Sequence, residues 1–428
     1  MQRYLPDAFL FAVILTFVVY VMGFLFTDSS PIEMIGHWGG GFWDLLEFAM
    51  QMTLVVTTGY ILADTPIVQK GLTKLSKLAN TPSQAIILVT LVASIASWIN
   101  YGFGLVVGAL IATYVARRVP SVNFRLLVAS AYSGFLLWHG GLSASAPLLI
   151  ATEGHFLEDL IGVVPATETI FSSFNLFIVI VLIVTLPLVN WILSRTQGTD
   201  SIPDPTTWDV VEEKPVPEEK ASTPATRIEN STLISLLIGL MGLVYIVYHF
   251  IQNGFDLNLN IVIFIFLFLG ILLHKTPQRY LHSVTDSVKN VGGIVIQFPF
   301  YAGIMGMMVD SGLSEQMSLF FINISTEFTF PLFTFLSASI VNFFVPSGGG
   351  QWAVQGPIMI PAAMEIGASV PKTAMAVAWG DAWTNMIQPF WALPLLAIAG
   401  LKVRDIMGFC AIILIYSFFP IAIGLLFF

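Results

Sequence analysis

Of the 428 residues, 56% are hydrophobic and only 10% charged, whereas a soluble domain carries about a quarter charged residues. That balance excludes an ordinary soluble fold, and the absence of a Lys/Arg cluster excludes nucleic acid as a partner. The single cysteine, Cys410, excludes an intrachain disulfide and a cysteine-based metal centre, and no cofactor is expected. The net charge of −9 says little about partners, because most charges fall in short loops and one linker. Several uncharged runs exceed the ~20 residues needed to cross a bilayer. The expected fold is an all-α polytopic membrane protein.

In chain order, a first helix is expected over residues 8–26. It is longer than a signal-peptide core and lacks a good cleavage site after it, so it reads as retained. A short loop holds His37-Trp-Gly-Gly-Gly-Phe-Trp-Asp44, and a second helix runs to Ala63. A loop with Lys70, Lys74 and Lys77 follows. Residues 83–116 then carry no charge over 34 positions, and Asn100-Tyr-Gly-Phe-Gly104 interrupts them. A re-entrant hairpin fits this run better than one long helix, with two full spans as the alternative. Residues 126–152 are apolar but broken at Trp138-His-Gly-Gly-Leu-Ser-Ala-Ser-Ala-Pro147. A helix over 170–194 closes the first half.

Residues 195–229 are rich in proline and mixed charge, which is the composition of a flexible linker. A connecting helix is expected within 230–255, and further helices over 261–273 and 292–309. The uncharged run 328–364 contains Asn342-Phe-Phe-Val-Pro-Ser-Gly-Gly-Gly350, which cannot continue a helix. Broken backbone at membrane depth is tolerated only where it is buried in protein or lines a cavity, so this run reads as a second hairpin. A broken helix over 373–401 and a last helix over 406–428 follow.

Spacing relates the halves. Asn100 precedes His139 by 39 residues, as Asn342 precedes Asp381; His139 and Asp381 each precede a proline, Pro147 and Pro389, by 8. Gln51 and Gln297 match less closely. With a cytoplasmic N-terminus, 16 of the 17 Lys and Arg residues fall on the cytoplasmic side and only Lys372 outside. The hairpins then enter from opposite faces and the C-terminus lies outside. The expected organisation is a first repeat over 1–194 (hairpin 83–116, broken helix 126–152), the linker 195–229, the connecting helix 230–255 and an inverted second repeat over 256–428 (hairpin 328–364, broken helix 373–401). Inverted repeats with discontinuous helices meeting at the midplane are a transporter architecture.

Four broken segments, 97–104, 138–147, 342–352 and 380–389, should converge. Their helix N-termini and close-approach glycines favour an anion. The candidate substrate-binding residues are Asn100, Gly102, Gly104, Ser143, Ser145, Asn342, Ser347, Gly348, Gly349, Gly350, Thr384, Asn385 and Gln388. None of these segments holds a Lys or Arg, so a carboxylate would be held by dipoles and amides. Close helix packing is the alternative role of the Gly and Ser residues. Asp381 and His139 are the titratable groups placed inside the hydrocarbon, and ion coupling is expected of them. An Asp at that depth costs about 2.5–3.5 kcal/mol; its alternative role is a helix cap, and that of His139 is a histidine satisfied by a carbonyl. Na⁺ could be held near Asn100, Asn342 and Asn385. Trp98, Trp138, Trp352, Trp379, Trp383 and Trp391 are candidates for cavity walls around an alkyl chain, or for packing. Nucleotide-binding and hydrolase motifs are absent, which argues against ATP-driven transport by this chain and against an enzyme.

The chain resembles the bacterial short-chain fatty acid transporter family, the acetoacetate and butyrate carriers. The resemblance rests on His37-Trp-Gly-Gly-Gly-Phe-Trp-Asp-Leu-Leu46 (running to Leu46 through Leu45), Asn100-Tyr-Gly-Phe-Gly-Leu-Val-Val-Gly108, Asn342 to Trp352, and Gln388-Pro-Phe-Trp-Ala-Leu-Pro394 running on to Arg404-Asp-Ile-Met-Gly408. It covers nearly all of the chain except the linker. It implies an inner-membrane carrier of short-chain monocarboxylates with an ion-transporter-type fold of paired hairpins. The expected partners are that substrate, a coupling H⁺ or Na⁺, the lipid bilayer and a second copy of the chain in a homo-oligomer. A dicarboxylate carrier of the same fold is the first rival, followed by an intramembrane enzyme built on His139 and Ser143, and a channel.

Overall fold

The computed structural model describes residues 8–196, 223–289, 291–343, 345–388 and 390–428. The first half comprises α1 (Ala8–Phe26), α2 (Pro31–Gly41), α3 (Leu46–Ala63), α4 (Pro66–Ser76), α5 (Pro82–Ile99), α6 (Tyr101–Arg118), α7 (Phe124–Gly134), α8 (Ser145–Ile150), α9 (Glu158–Ile161) and α10 (Ser173–Thr196). A 3₁₀ turn, Phe135–Gly140, continues α7. Then come α11 (Pro224–Glu229), α12 (Thr232–Asn253), α13 (Leu259–His274), α14 (Pro277–Val288), α15 (Gly292–Asp310), α16 (Leu313–Ile324), α17 (Phe330–Val341), α18 (Gly348–Ile366), α19 (Val370–Thr384), α20 (Ala392–Ala399) and α21 (Val403–Phe427). No strand occurs among the described residues. Six helices (α3, α5, α10, α12, α15 and α21) are long and apolar enough to cross a membrane. The protein is an all-helical, multi-pass membrane protein.

The apolar runs became helices close to their expected limits; α1 agrees at both ends. The differences lie in polar, amphipathic segments. Residues 37–41 belong to helix α2 rather than to a loop: Ser30 and Glu33 form a capping box, and Pro31 supplies the first helical residue. Lys70 and Lys74 ride on α4, and α14 and α16 are further short helices. The end of the expected linker, Pro224–Glu229, is helical, whereas residues 197–222 and Pro389 lie outside the described residues.

The same packing occurs in both halves. α5 lies on α6 and α7, as α17 lies on α18 and α19; α6 lies on α3 and α4, as α18 lies on α15 and α16. The opening helices cross over: α1 and α2 pack on α15, while α13 and α14 pack on α3. α10 and α21 pack on each other, and α12 has no counterpart. Gly41 of the His37–Asp44 segment and Gly306 make the crossing between α2 and α15. A Cβ on Gly41 would lie 2.9 Å from Gly306 Cα, and one on Gly306 would lie 2.8 Å from the His37 carbonyl oxygen. This segment is therefore a seam between the halves.

Both broken runs are hairpins whose tips lie at mid-span. Arg118, at the far end of α6, donates to the Ala79 carbonyl (3.3 Å) and to Asn80 Oδ1 (3.0 Å) before α5 begins, so the two arms are antiparallel and share one open end. The tip reaches Val55, halfway along α3, through Asn100 Nδ2 and the Val55 carbonyl (3.3 Å). The second tip reaches Tyr301, halfway along α15, where a Cβ on Gly350 would meet the ring at 2.4 Å. In the second hairpin, Gln351 Nε2 donates across the arms to the Ala338 carbonyl at 2.8 Å.

Two expectations concern stability. A Cβ on Gly141 would lie 2.0 Å from the Trp98 carbonyl oxygen, which already accepts the Leu142 N–H at 2.7 Å. The obstacle is backbone and cannot rotate away, so Gly141→Ala should lose about 1–3 kcal/mol or more in detergent unfolding, whereas Gly40→Ala meets nothing within 4 Å and should be neutral. In the loop after α8, His155 Nδ1 accepts the Leu157 N–H (3.2 Å) and Nε2 lies 3.0 Å from the Gly162 carbonyl oxygen. Burial holds the imidazole below its ordinary value of 6.5. The unfolded loop therefore protonates at higher pH than the folded one, and this ring's contribution is complete above about pH 6.5 and declines below it. Amide exchange around residues 155–162, corrected for intrinsic rates, should accelerate on acidification, and the acceleration should vanish in His155→Ala.

Candidate functional site

The first tip is tied to the first broken helix. Tyr101 N–H donates to Ser143 Oγ (2.9 Å) and Trp98 Nε1 to the Gly140 carbonyl (3.2 Å). Asn100 caps α6 by accepting the Phe103 N–H at 2.9 Å. The second tip is tied to the second broken helix in the same way, because Asn342 Nδ2 donates to the Asp381 carbonyl and to Thr384 Oγ1, both at 2.9 Å. Asn342 does not cap α18, however. The cap is Ser347, five residues later, whose side chain accepts the Gly350 N–H. The shared 39-residue spacing therefore relates the asparagines but not the two helix starts.

The halves meet between the broken helices. Trp138 Nε1 donates to Asn385 Oδ1 (3.1 Å), Tyr132 Oη to the Asn385 carbonyl (2.7 Å), and Trp379 Nε1 to Asn175 Oδ1 (2.9 Å). Asn175 Nδ2 in turn holds the Gly140 carbonyl at 3.0 Å. At the centre, His139 Nδ1 lies 3.0 Å from Asp381 Oδ2, with both side chains fully buried. Asp381 is the only Asp, Glu, Lys or Arg among the buried described residues. It lies inside α19 rather than at its start, so the helix-cap alternative does not apply. His139 is not satisfied by a carbonyl; the carboxylate is its charged neighbour, and neither the two ring nitrogens nor the two carboxylate oxygens make a well-aligned hydrogen bond among the described residues.

All four broken segments come together, but their residues differ in exposure to a ligand. Gly104 faces the Ser97 backbone and Gly102 the Val56 carbonyl, so both serve hairpin packing. Ser145 opens α8 and is buried, and Gln388 Oε1 accepts the Phe390 N–H at 3.2 Å. Gly349 and Gly350 face Phe48, Phe298 and Tyr301, whereas Gly348 faces Trp138 and His139. The side-chain oxygens of Asn100 and Asn385 each accept one N–H, whereas Asn342 Oδ1 is buried and has no hydrogen-bond partner among the described residues. Trp391 packs with Tyr101, Phe135 and Trp138 at centroid distances of 5.7, 6.0 and 6.4 Å. Trp383 instead turns to α21, where it donates to the Leu414 carbonyl at 2.7 Å. The sequence reading missed Tyr132 and Asn175. Asn175 had a signal, as an amide within the apolar helix α10; Tyr132 had none.

The short-chain fatty acid transporter family description matches residues 1–428. The chain belongs to the short-chain fatty acid transporter family. Two relatives of this transporter, from Escherichia coli K12 and Haemophilus influenzae, bear a provisional name as short-chain fatty acid transporters. Each is 45% identical, over 99% and 100% of this chain and 96% and 97% of their own. The crystal structure of the Alcanivorax borkumensis YdaH transporter, described as having an unusual topology, aligns with a TM-score of 0.60. It has 15% identity and covers 98% of this chain and 97% of that chain. At that identity the likeness concerns the fold alone.

Proposed function

We propose that the transporter is a secondary active carrier of small monocarboxylates of the acetoacetate and butyrate class, working by alternating access and driven by a cation gradient. The observation that carries this reading is the buried His139–Asp381 pair, which joins the two halves between the broken helices. An ionised group held at mid-span is expensive and usually marks an ion pathway. The name carried by the 45% identical relatives supports the substrate class.

The repeated packing and the distribution of Lys and Arg support two inverted repeats, over 1–194 and 256–428, joined through the linker 195–229 and the connecting helix within 230–255. They also support an inner-membrane orientation with a cytoplasmic N-terminus and an external C-terminus. The test is uptake into liposomes of labelled acetoacetate, butyrate and succinate, with H⁺ and Na⁺ gradients imposed separately. Saturable, gradient-driven uptake of the monocarboxylates is expected, and no uptake of any monocarboxylate would overturn the proposal.

A further inference from the structure

The two hairpin tips are chemically unequal. At the first, the N–H of the leading helical residue, Tyr101, is taken by Ser143 Oγ, and Asn100 Oδ1 takes the third. At the second, Ser347 takes only the Gly350 N–H, and the Gly348 and Gly349 N–H groups have no partner among the described residues. The edge of His139 packs on the first of these two glycines: a Cβ on Gly348 would lie 2.5 Å from Cε1 and 3.0 Å from Nε2, whereas Gly349 lies against Phe48 and Phe298. That Nε2 is buried and makes no hydrogen bond. A 19-residue helix thus opens on two free N–H groups beside an unpartnered buried imidazole nitrogen.

We propose that His139 Nε2 and the Gly348 and Gly349 N–H groups bind the carboxylate of the transported monocarboxylate, and that the single proton shared by His139 and Asp381 is what admits the anion. This rests on the transporter reading above. The charge arithmetic is simple. With one shared proton the pair is neutral, and Nε2–H can donate. Without it the pair carries one negative charge and Nε2 presents a lone pair, so both repel a carboxylate. No other positive charge is available, because no Lys or Arg is buried among the described residues. The other titratable group that interacts with Asp381 is Tyr132 on α7, beside which lies Cys410 on α21; Tyr101 lies against Trp138 and Tyr301 against Gly350, and all four are neutral at physiological pH. Trp138 stacks on the imidazole at a centroid distance of 3.9 Å and an interplanar angle of 9°, which fixes the plane of the ring. Substrate and proton then bind together, which couples them without a separate ion site.

The test is labelled butyrate binding to the purified full chain across pH, with proton exchange followed in weakly buffered solution. For the wild type, affinity should fall about tenfold per pH unit on the alkaline side, with one proton taken up per butyrate. His139→Gln should bind at least about tenfold more weakly at every pH. Asp381→Asn keeps His139 and cannot carry the excess negative charge, so it should bind butyrate with no pH dependence above pH 7. Wild-type affinity in a folded His139→Gln protein, or a wild-type pH profile in Asp381→Asn, would overturn the proposal. Should His139→Gln not fold, the Asp381→Asn profile decides alone. A wild-type protein that neither binds nor transports a monocarboxylate at any pH would overturn the transporter reading instead.

Discussion

Reconstituted Asp381→Asn is expected to remain folded, exchange short-chain monocarboxylates across the membrane, and lose accumulation driven by a pH gradient. The amide is isosteric and can still meet His139 Nδ1, 3.0 Å away in the native pair. Removing the only Asp, Glu, Lys or Arg among the buried described residues also relieves the burial of a charge, so stability should hold or rise. Accumulation is different, because it requires a group whose charge changes during the cycle. One substrate moving with one proton under a gradient of one pH unit can reach an accumulation ratio of about tenfold; the variant should stay near one. Counterflow should survive, since it needs binding and reorientation but no net proton movement. The measurements are uptake and counterflow in vesicles, and accumulation equal to wild type would remove Asp381 from the coupling step.

Gly348→Ala should abolish most transport while leaving the protein assembled. The new methyl group would meet His139 Cε1 at 2.5 Å and Trp138 Cη2 at 2.7 Å. Neither ring can retreat freely: Trp138 donates to Asn385 and His139 is held by Asp381. Overpacking of this kind costs about 1–3 kcal/mol, which the large surrounding core can absorb. The imidazole, however, must leave either Asp381 or the tip, and both positions matter for uptake. Uptake should fall at least about tenfold with a modest loss of melting temperature. Normal uptake would show that the tip is not closed on His139 during transport.

Much of this molecule was legible from hydropathy and breaks. The uncharged runs around Asn100 and Asn342 announced both hairpins, and the equal spacings to His139 and Asp381 picked out the two residues that meet. Short amphipathic helices were not legible in the same way. α4, α14 and α16 carry charge and turn one face to the protein, so a search for apolar runs passes over them. Residues 37–41 read as a loop because of their glycines, although the capping pattern at Ser30–Glu33 was present. Of those glycines only Gly41 serves the close approach of α2 to α15; Gly39 and Gly40 meet nothing within 4 Å.

The sequence by itself determined the class of protein, the number and place of its broken segments and the family. These follow from local rules: lipid tolerates few charges, and glycine and proline interrupt helices wherever they occur. Only the tertiary structure decided that His139 touches Asp381 across the boundary between the halves, that Ser347 rather than Asn342 starts α18, and that the second tip keeps two N–H groups without a partner among the described residues while Ser143 occupies the first. Those outcomes depend on how helices far apart in the chain cross, and on which polar group reaches which orphan donor first. Local preference does not encode that choice, because each of these amides and hydroxyls could have satisfied several partners at equal cost.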